Sequence, residues 1–498
     1  MAAVTLAEML SMEAAAMARG WTEEQLLDAA GERLGIAIGR HFPQAGSVVG
    51  YLGKGHNAGD TLVALRVLRD RFGWEISIRC GYRMEVCAAL TVRKWNELGS
   101  PEPLESRPNW RDHQRPLVLL DGLLGSGAAG PLREPLIPLA DEMADLRRSA
   151  GARVAAVDFP SGIDADTGEI FPNNVTADIT FMIGNAKRGL LHSHAAAATG
   201  ALAIVPVDAL TTHRRGDCEL ISPLTLECGK KPRDFDFHKG MAGRIAILAG
   251  SENYTGAAVL AASGALRGGG GLITLFVPAH VHAVIAAKCP PEIIVRGFHN
   301  PRELLEFRFD ALAVGCGLGE MTDSAAEGLL DLIAKSPAPT VVDADALNLI
   351  ARSGRVGILT EMHILTPHPG EFVRIAADLK ELPREEAARQ FADRTRSTLL
   401  LKGCRTLVTG RGQTLWCNAT GTPAMATGGQ GDVLTGVIAA RLAIGDSPME
   451  AAALSAWLCG RSAEIALNEP HLSEESLTPS DVLHFLGAAY QDWKSGGR

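Results

Sequence analysis

Two successive series of short β-like runs that alternate with helical stretches constrain the fold of this chain more than any other feature. Strands that alternate with helices predict a mostly parallel sheet covered by helices. The first series has runs at residues 48–52, 75–79, 117–120, 154–157, 179–183 and 201–207. The second has runs at residues 244–249, 272–277, 311–314, 339–342, 363–365, 398–401, 406–408 and 413–417.

A stretch of different composition separates the two series. Residues 211–238 are polar and mixed in charge, with little hydrophobic period, which is typical of a connector. At 498 residues the chain also exceeds the length that one core usually serves. We therefore predict an α/β protein with a Rossmann-like doubly wound sheet in residues 1–210, a linker at 211–238, and a second α/β domain in residues 239–498.

Composition excludes several classes of partner. The formal net charge of −9 disfavours binding to nucleic acid or to an anionic membrane surface. No apolar run is long enough for a membrane helix, and the N-terminus has no basic segment that would begin a signal peptide. Nine scattered cysteines without a CxxC pair disfavour a metal cluster or a disulfide framework. We expect a cytoplasmic homo-oligomer that acts on small molecules.

The most informative motif is a glycine-rich turn that leads directly into an apolar helix at residues 418–442. Gly428, Gly429, Gln430 and Gly431 would present backbone N–H groups at a helix N-terminus, where anions bind. Asp432 follows at once, and a carboxylate beside a phosphate site suggests a general base for phosphoryl transfer. The alternative is an ordinary Asp near a helix cap, which would not require the preceding glycines.

Other polar residues follow runs of the second series. Asp343 and Asp345 end one run, and His368 and Glu371 follow the next. Lys402 comes after the run at 398–401, beside a glycine. In α/β sheets the carboxyl ends of strands bind ligands, so these residues are expected to line one site. The sequence GxxxxGK[ST] is absent, which excludes a P-loop protein.

These segments resemble the NAD(P)H-hydrate dehydratase family of the ribokinase-like fold over residues 240–467. The shared motifs, in the family's order, are YTGA, GCGLG at 315–319, DADAL, TPHPGE, LLKG and ATGGQGDVLTG. The resemblance implies phosphorylation of the hydroxyl group on a hydrated nicotinamide ring by ADP or ATP, with Mg²⁺ expected. Loss of phosphate then restores the cofactor.

The resemblance also implies roles for individual residues. Asp432 would be the catalytic base. The dinucleotide would be contacted by Ala257, Gly317, Gly319, His368 and Asp432. The adenine nucleotide would be contacted by Lys402, Gly403, Cys404, Arg405, Thr406, Gly428, Gly429, Gln430 and Gly431. Singly, Ala257 and Gly319 also fit packing positions, and a lone histidine is more often structural. A small-molecule kinase with the same anion site is the alternative activity.

The first series carries three polar loops at the ends of its runs. They are GKGHNAGDT after residues 48–52, LLDGLLGSGAAGPL at 119–132 and VDFPSGIDADTG at 157–168. Polar loops at several strand ends of one sheet indicate a single crevice. A glycine-rich turn between a strand and a helix is by itself a weak indication of a phosphate site.

These loops resemble the NAD(P)H-hydrate epimerase family over residues 5–208, and the fusion ahead of a dehydratase is the arrangement of bifunctional repair enzymes. The resemblance implies that Asn57, Asp121 and Ser161 surround K⁺, whose hardness suits oxygen ligands. It implies dinucleotide contacts from His56, Asn57, Ala58, Gly59, Asp60, Gly125, Ser126, Gly127, Ala128, Ala129, Gly130, Pro131 and Asp158. We predict that Asp158 moves the proton. The expected substrates are NADHX and NADPHX.

The loop at residues 56–61 departs from the family's pattern. The family usually has Asn-Asn-Gly-Gly-Asp-Gly where this chain has His-Asn-Ala-Gly-Asp-Thr. Asn57 and Asp60 keep the ligand and acid/base positions, but side chains at Ala58 and Thr61 are expected to crowd the dinucleotide. The first domain is alternatively a binding or assembly module without activity. Lys187 and Arg188 either neutralise substrate phosphate or form a solvated surface pair.

Overall fold

The computed structural model describes residues 2–109, 113–127, 130–211 and 216–496. Within these ranges the chain forms two compact units, one ending at Glu219 and the other beginning at Leu220. Each unit has its own helix-covered sheet. The predicted α/β class with two sheets is confirmed.

The first unit is built on a six-stranded sheet and a two-stranded one. Its strands are β1 (Ala3–Val4), β2 (Ser47–Leu52), β3 (Glu75–Cys80), β4 (Leu117–Gly122), β5 (Arg153–Val157), β6 (Ile179–Ile183), β7 (Ala186–Lys187) and β8 (Ala201–Val205). Its helices are α1 (Leu6–Ala18), α2 (Glu23–His41), α3 (His56–Phe72), α4 (Ala89–Glu97), α5 (Ile137–Ala150) and α6 (Ala196–Thr199). All six main strands coincide with predicted runs.

The main sheet of the first unit is doubly wound. Its strand order is β3-β2-β4-β5-β6-β8, with every neighbouring pair parallel. Successive residues of β2 point to opposite faces: Val48 packs in one hydrophobic core and Val49 in the other. The order reverses between β2 and β4, and ligands bind outside the strand ends at such a reversal. The loops after β2 and β4 therefore frame the candidate site.

An N-terminal arm, residues 2–18, lies beside the end of β6. It consists of β1, which pairs in parallel with β7 so that Val4 is opposite Lys187, and of α1. A capping box between Thr5 and Glu8 starts the helix. The arm is therefore paired through β1 with the short strand that carries Lys187.

The second unit is built on a ten-stranded sheet, whose first strand in the sequence begins two residues before the unit boundary at Leu220. Its strands are β9 (Cys218–Leu220), β10 (Arg244–Leu248), β11 (Leu272–Pro278), β12 (Ile294–Phe298), β13 (Ala311–Val314), β14 (Thr340–Val342), β15 (His363–Leu365), β16 (Thr398–Leu401), β17 (Thr406–Thr409) and β18 (Leu415–Asn418). Its helices are α7 (Thr255–Arg267), α8 (His282–Lys288), α9 (Asp323–Lys335), α10 (Ala344–Ser353), α11 (Pro369–Ile375), α12 (Arg384–Thr395), α13 (Gln430–Ile444), α14 (Pro448–Ala466) and α15 (Pro479–Ser495).

The strand order of this sheet is β12-β11-β10-β13-β14-β15-β16-β17-β18-β9. Pairing is parallel from β12 to β16 and antiparallel from β16 through β18. Helices α7 and α13 pack closely because both carry glycine at the crossing. A Cβ at Gly264 would overlap the carbonyl oxygen of Val433, and one at Gly436 that of Ala261. This packing fixes the start of α13.

Part of the predicted linker belongs to the second unit. Strand β9 lies at the edge of the second sheet, and the Ile221 amide donates a hydrogen bond to the Cys417 carbonyl at 2.9 Å. The apolar side chains of Ile221 and Leu226 are buried in the core. The structure therefore places an ordered, packed segment inside residues 211–238.

Within the described ranges, no helix combines the length and apolar character needed to cross a membrane. The nine cysteines are all free of disulfide bonds. No three His, Cys, Asp or Glu side chains among these residues converge on a possible metal position.

Candidate active sites

The site in the second unit is assembled at the carboxyl ends of three adjacent parallel strands. Asp343 directly follows β14, His368 lies shortly after β15, and Lys402 directly follows β16. Because neighbouring parallel strands end at the same sheet edge, these residues come together despite their separation in sequence. The structure thus joins motifs that the sequence predicted to line one site.

A buried ion pair forms the centre of this site. Lys402 Nζ donates a hydrogen bond to Asp343 Oδ1 at 2.9 Å, and Thr435 Oγ1 donates one to Asp343 Oδ2 at 2.8 Å. The side chain of Asp343 is only 2% exposed. Although burial lowers the pKa of Lys402, the charge and hydrogen bond of Asp343 outweigh burial and raise that pKa. Lys402 therefore remains a cation.

The first turn of α13 lies against this pair. A Cβ at Gly431 would be 3.3 Å from Lys402 Nζ and 3.7 Å from Asp343 Oδ2. Gly429 caps the helix with φ of +98°, a left-handed conformation that favours glycine. The positive helix end and the ammonium group are therefore adjacent, and both attract an anion.

Asp432 has the properties of a base that works near neutral pH. Burial raises the pKa of this carboxyl group to about 6, and the charges of Asp343 and Asp345 contribute to the rise. A hydrogen bond with the Cys316 thiol and the charge of Lys402 act in the opposite direction on that pKa. The group is thus mostly ionised at pH 7 and close enough to its pKa to exchange a proton.

The GCGLG turn brings together three predicted dinucleotide contacts. A Cβ at Gly317 would be 2.8 Å from the Ala257 Cβ, so these residues are neighbours. The Gly319 amide donates a hydrogen bond to Asp345 Oδ2 at 2.8 Å. A Cβ at Gly315 would overlap the carbonyl oxygen of Asp343, so the backbone must pass close to β14 there. Packing and ligand roles are compatible at these positions.

His368 caps α11 and reaches the same network. Its Nδ1 accepts a hydrogen bond from the Gly370 amide at 3.0 Å, and its Nε2 lies 3.4 Å from Glu371 Oε1. Glu371 Oε2 is 4.0 Å from Lys402 Nζ. The His368 side chain is 51% exposed, so a structural capping role still leaves its ring open to a ligand.

The loop at residues 402–406 is held from behind by an arginine that sequence reasoning missed. Arg384 donates hydrogen bonds to the carbonyl oxygens of Leu401 at 2.8 Å, Lys402 at 3.2 Å and Arg405 at 2.7 Å. The sequence does not indicate this role, because Arg384 lies on α12, outside every motif. Gly403 and Cys404 are exposed, whereas the Arg405 side chain is buried and donates to the Ala419 carbonyl at 3.5 Å.

The remaining predicted nucleotide contacts lie at the start of α13 and at the start of β17. Gly428 is exposed with no heavy atom within 4 Å of a built Cβ. Gln430 Nε2 lies 3.5 Å from Thr427 Oγ1. Thr406, at the start of β17, donates its hydroxyl hydrogen bond to the Gly403 carbonyl at 3.0 Å. The open face at Gly428 suits a ligand that approaches the helix end.

The site in the first unit has a buried polar centre between β2, β4 and β5. Both Asp121 oxygens accept hydrogen bonds from Ser161, from its amide at 2.7 Å and its hydroxyl at 2.7 Å. Asn57 Nδ2 donates to the carbonyl oxygens of Leu124 at 2.6 Å and Val157 at 3.2 Å. The structure thus brings together the three residues expected around K⁺.

The charge balance at Asp121 is informative. This side chain is fully buried, and burial raises the pKa of its carboxyl group to about 6 even though Ser161 and the Leu123 amide donate hydrogen bonds to it. Among the described residues, no cationic side chain pairs with Asp121. No cationic side chain of these residues donates a hydrogen bond to Asn57 Oδ1. Oxygen atoms of this kind fit a hard monovalent cation.

Asp158 forms an ion pair with Lys187, which changes the interpretation of that lysine. Lys187 Nζ donates to Asp158 Oδ1 and to the Ile183 carbonyl at 2.6 Å, and its side chain is 1% exposed. The alternative of a solvated surface pair is therefore wrong for Lys187, because its buried ammonium group is paired with a carboxylate. Arg188, in contrast, is 43% exposed.

The loop at residues 56–60 corrects a second expectation. Helix α3 begins at His56, so Ala58 and Thr61 lie on its buried face. Ala58 is fully buried in the core, and Thr61 Oγ1 donates to the Asn57 carbonyl at 2.8 Å. Their side chains therefore do not crowd a ligand outside the sheet. Gly59 is also buried, and His56 Nδ1 lies 3.4 Å from Glu23 Oε1.

The loop after β4 lies beside Asn57. A Cβ at Gly125 would be 2.9 Å from the Asn57 Cβ. Ser126, Gly127 and Pro131 are exposed, and Gly130 has a φ of +88°. Ala128 and Ala129, which were also predicted to contact the dinucleotide, lie outside the described residues.

Comparison with known proteins matches both units to families. A family model described as NAD(P)H-hydrate dehydratase matches residues 245–484, and one described as YjeF-related protein N-terminus matches residues 23–189. The second unit also resembles a ribokinase-like superfamily protein from Enterococcus faecalis. That structure is 24% identical, has a TM-score of 0.50, and aligns over 56% of this chain and 98% of its own. The likeness confirms the ribokinase-like fold.

Two relatives align with nearly the whole chain. The bifunctional NAD(P)H-hydrate repair enzyme Nnr of Moorella thermoacetica is 34% identical, over 93% of this chain and 91% of that enzyme. The enzyme of the same name from Gloeobacter violaceus is also 34% identical, over 94% and 96%. Both resemblances found in the sequence are confirmed, and the chain belongs to the family of bifunctional NAD(P)H-hydrate repair enzymes.

Proposed function

We propose that the second unit dehydrates the S form of NADHX or NADPHX with ADP or ATP as phosphoryl donor. The observation that carries this proposal is the position of Asp432 in the first turn of α13, beside Lys402 and Asp343. The helix end and Lys402 bind the phosphates of the nucleotide. The exposed loop at Gly403 and Cys404 and the open turn at Gly428 receive the rest of it.

The chemical steps follow from the position of the base. The hydroxyl oxygen of the hydrate attacks the terminal phosphorus while Asp432 takes the hydroxyl proton. The bond between that phosphorus and the nucleotide oxygen breaks. The ester C–O bond then breaks as the ring nitrogen lone pair supports the carbon, and loss of a proton from the neighbouring carbon restores the double bond. Ala257, Gly317, Gly319 and His368 hold the dinucleotide.

The charges in this site also fit a divalent cation. Lys402 Nζ binds Asp343 at 2.9 Å and lies 4.0 Å from Glu371 Oε2, and its charge also acts on Asp432. Negative charge therefore exceeds positive charge here, and binding of a nucleotide phosphate benefits from an added positive charge. Mg²⁺ is usually held by one or two carboxylates together with substrate phosphates and water. Glu371 and Asp343 would hold it, and it would neutralise charge on the transferred phosphoryl group.

We propose that the first unit interconverts the R and S hydrates. The hydroxyl group leaves as water after it takes a proton, the ring nitrogen lone pair forms a C=N bond, and water adds to the opposite face and releases a proton. Asp158 is the carboxylate that accepts this proton, and Asp60 is the carboxyl group that donates to the leaving hydroxyl. The exposed residues His56, Ser126, Gly127 and Pro131 contact the dinucleotide, and Asn57, Asp121 and Ser161 would hold K⁺.

The experiment uses the full-length chain and a mixture of R and S NADHX. Recovery of nicotinamide absorbance and release of phosphate are followed with ADP, with ATP and without nucleotide. We expect recovery only with a nucleotide, with one phosphate released for each cofactor restored. A stable phosphorylated product without recovery would support a small-molecule kinase instead, and recovery without nucleotide would contradict the role of phosphoryl transfer.

A further inference from the structure

The N-terminal arm, residues 2–18, packs on the segment that carries Lys187. The Asn185 side-chain amide lies 3.4 Å from Met12 Sδ and 3.7 Å from Met9 Sδ. Arg188 lies 3.9 Å from Glu8. The matched family region begins only at residue 23. The arm therefore lies outside that region yet borders the ion pair of the candidate epimerase site.

Helical geometry fixes the direction in which Glu13 points. Met9, Met12, Glu13 and Ala16 are spaced i, i+3, i+4 and i+7, so they share one face of α1. Met9 and Ala16 on that face are buried, and a Cβ on Gly184, just after β6, would be 3.3 Å from the Met9 methyl group. Glu13 therefore faces the end of β6, where Lys187 binds Asp158.

The electrostatic neighbours of Glu13 agree with this placement. Burial raises the pKa of Glu13, and the charges of Asp158 and Glu23 act in the same direction, whereas Lys187 and His56 lower it. Burial likewise raises the pKa of Asp60 well above its usual range. The charges of Asp158, Glu13 and Asp28 add to that rise in the pKa of Asp60, and Lys187 opposes it.

Three carboxyl groups thus share one lysine in a partly buried space. Asp158 takes the direct hydrogen bond from Lys187, so within the described part of the chain Glu13 and Asp60 have no equivalent cation. Like charges in such a space do not all ionise together, and one group retains a proton. Asp60 lies on α3 one turn after Asn57, whose Nδ2 donates a hydrogen bond at 3.2 Å to the carbonyl of Val157, the residue before Asp158. Glu13 approaches the same ion pair from the face of α1 that carries the buried Met9 and Ala16.

We infer that Glu13 is a positioning residue of the epimerase centre: from the buried face of α1, its negative charge keeps on Asp60 the proton that the departing hydroxyl group receives. This inference rests on the proposed epimerase function. Glu13 does not itself touch the reacting atoms. Its loss should therefore change the pH at which the enzyme works as well as its rate.

The test compares Glu13→Gln and Glu13→Ala with the wild-type chain. The rate of epimerisation is measured between pH 5 and 9 without nucleotide, from the change with time in the ratio of R to S hydrate. Removing the charge lowers the pKa of Asp60, so the basic limb of the profile should move to lower pH by roughly one unit. Above that limb both variants should be roughly tenfold slower.

Glu8→Gln on the same helix is the matched control. It removes a charge of the same sign but keeps a residue that serves in a capping box, and its limb should coincide with the wild-type limb. Glu13→Asp, which keeps the charge, should restore the limb. A uniform loss of rate in Glu13→Gln and Glu13→Ala without a limb shift, or no change at all, would overturn the inference. An inactive wild-type chain would instead contradict the epimerase proposal.

Discussion

The two centres use the same pair of side chains, an aspartate and a lysine at the end of a parallel sheet, in different ways. In the first unit Lys187 is 1% exposed and its partner Asp158 is 16% exposed. In the second unit Lys402 is 20% exposed and its partner Asp343 is 2% exposed. The lysine is sealed in one centre, and in the other it opens toward the helix end that attracts phosphate.

This difference separates two kinds of chemistry. A sealed lysine stabilises a neighbouring carboxylate and suits a centre whose acid and base act without a charged co-substrate. An open lysine beside the N-terminus of α13 suits a centre that binds a charged co-substrate. The mechanism proposed for the second unit therefore needs a further carboxylate as base, the role proposed for Asp432. The comparison predicts which changes affect one activity and leave the other intact.

The largest effect is expected from Asp432→Asn. The amide keeps the size of the side chain but cannot accept the hydroxyl proton, so dehydration should slow by roughly a thousandfold. Nucleotide binding, measured by calorimetry, and epimerisation should be retained. Glu381→Gln, at a side chain that is 87% exposed, is the control. Near wild-type dehydration by Asp432→Asn would remove this residue from the mechanism.

The next effect is expected from Lys187→Met. Removal of one partner of a buried ion pair leaves Asp158 uncompensated, so the first unit should lose about 3 kcal/mol of stability as well as epimerisation. Hydrogen exchange of peptides from the first unit measures the loss of stability. Arg188→Met removes the adjacent, exposed cation and should change neither the stability nor the epimerisation. Equal behaviour of the two variants would contradict the assignment of a sealed lysine.

The pH dependence of dehydration tests the other ion pair. The base must be deprotonated, and the pKa of Asp432 is raised to about 6 by burial and by the charge of Asp343. The kcat/KM for dehydration should therefore fall as the pH drops through about 6. Asp343→Asn should move this limb to lower pH, whereas Thr435→Val, which keeps the charge, should not. An unmoved limb in Asp343→Asn would show that the charge does not reach Asp432.

The smallest effect concerns the altered loop of the first unit. Ala58→Gly and Thr61→Gly restore the family's residues, but both side chains point into the core. We expect no gain in epimerisation, and a loss of about 0.5–1 kcal/mol for glycine at the buried position 58 within α3. A several-fold rise in kcat/KM for either variant would revive the crowding interpretation.

The fate of that loop shows what sequence reasoning captured and what it did not. The motif and its position after β2 were predicted correctly. Residues 56–61 were interpreted as a loop, however, whereas α3 begins among them at His56, with Gly55 as an N-cap that makes no side-chain hydrogen bond. Helical spacing then places Ala58 and Thr61 with Leu62 and Leu65 on the buried face. A helix that begins without a side-chain cap is difficult to locate from the sequence.

Long-range pairing accounts for the other differences. Lys187 and Asp158 are separated by 29 residues, and Arg384 supports a loop some 20 residues away. The sequence around Lys187 or Arg384 does not indicate which distant residues each side chain contacts. Strand β12 was also missed, because its short run Ile294–Phe298 contains Arg296 and Gly297 and lies at an exposed sheet edge. The strand ends in the sheet centre were predictable because their flanking motifs are polar.

The most direct test of two separate centres is the fraction of a mixture of R and S NADHX that each variant restores with ADP. The wild-type chain should restore nearly all of the hydrate rapidly. Asp158→Asn should restore only the S fraction rapidly and leave the R fraction to slow spontaneous exchange, and Asp432→Asn should restore almost none. Rapid and complete recovery by Asp158→Asn would contradict the central claim that the first unit carries the epimerase.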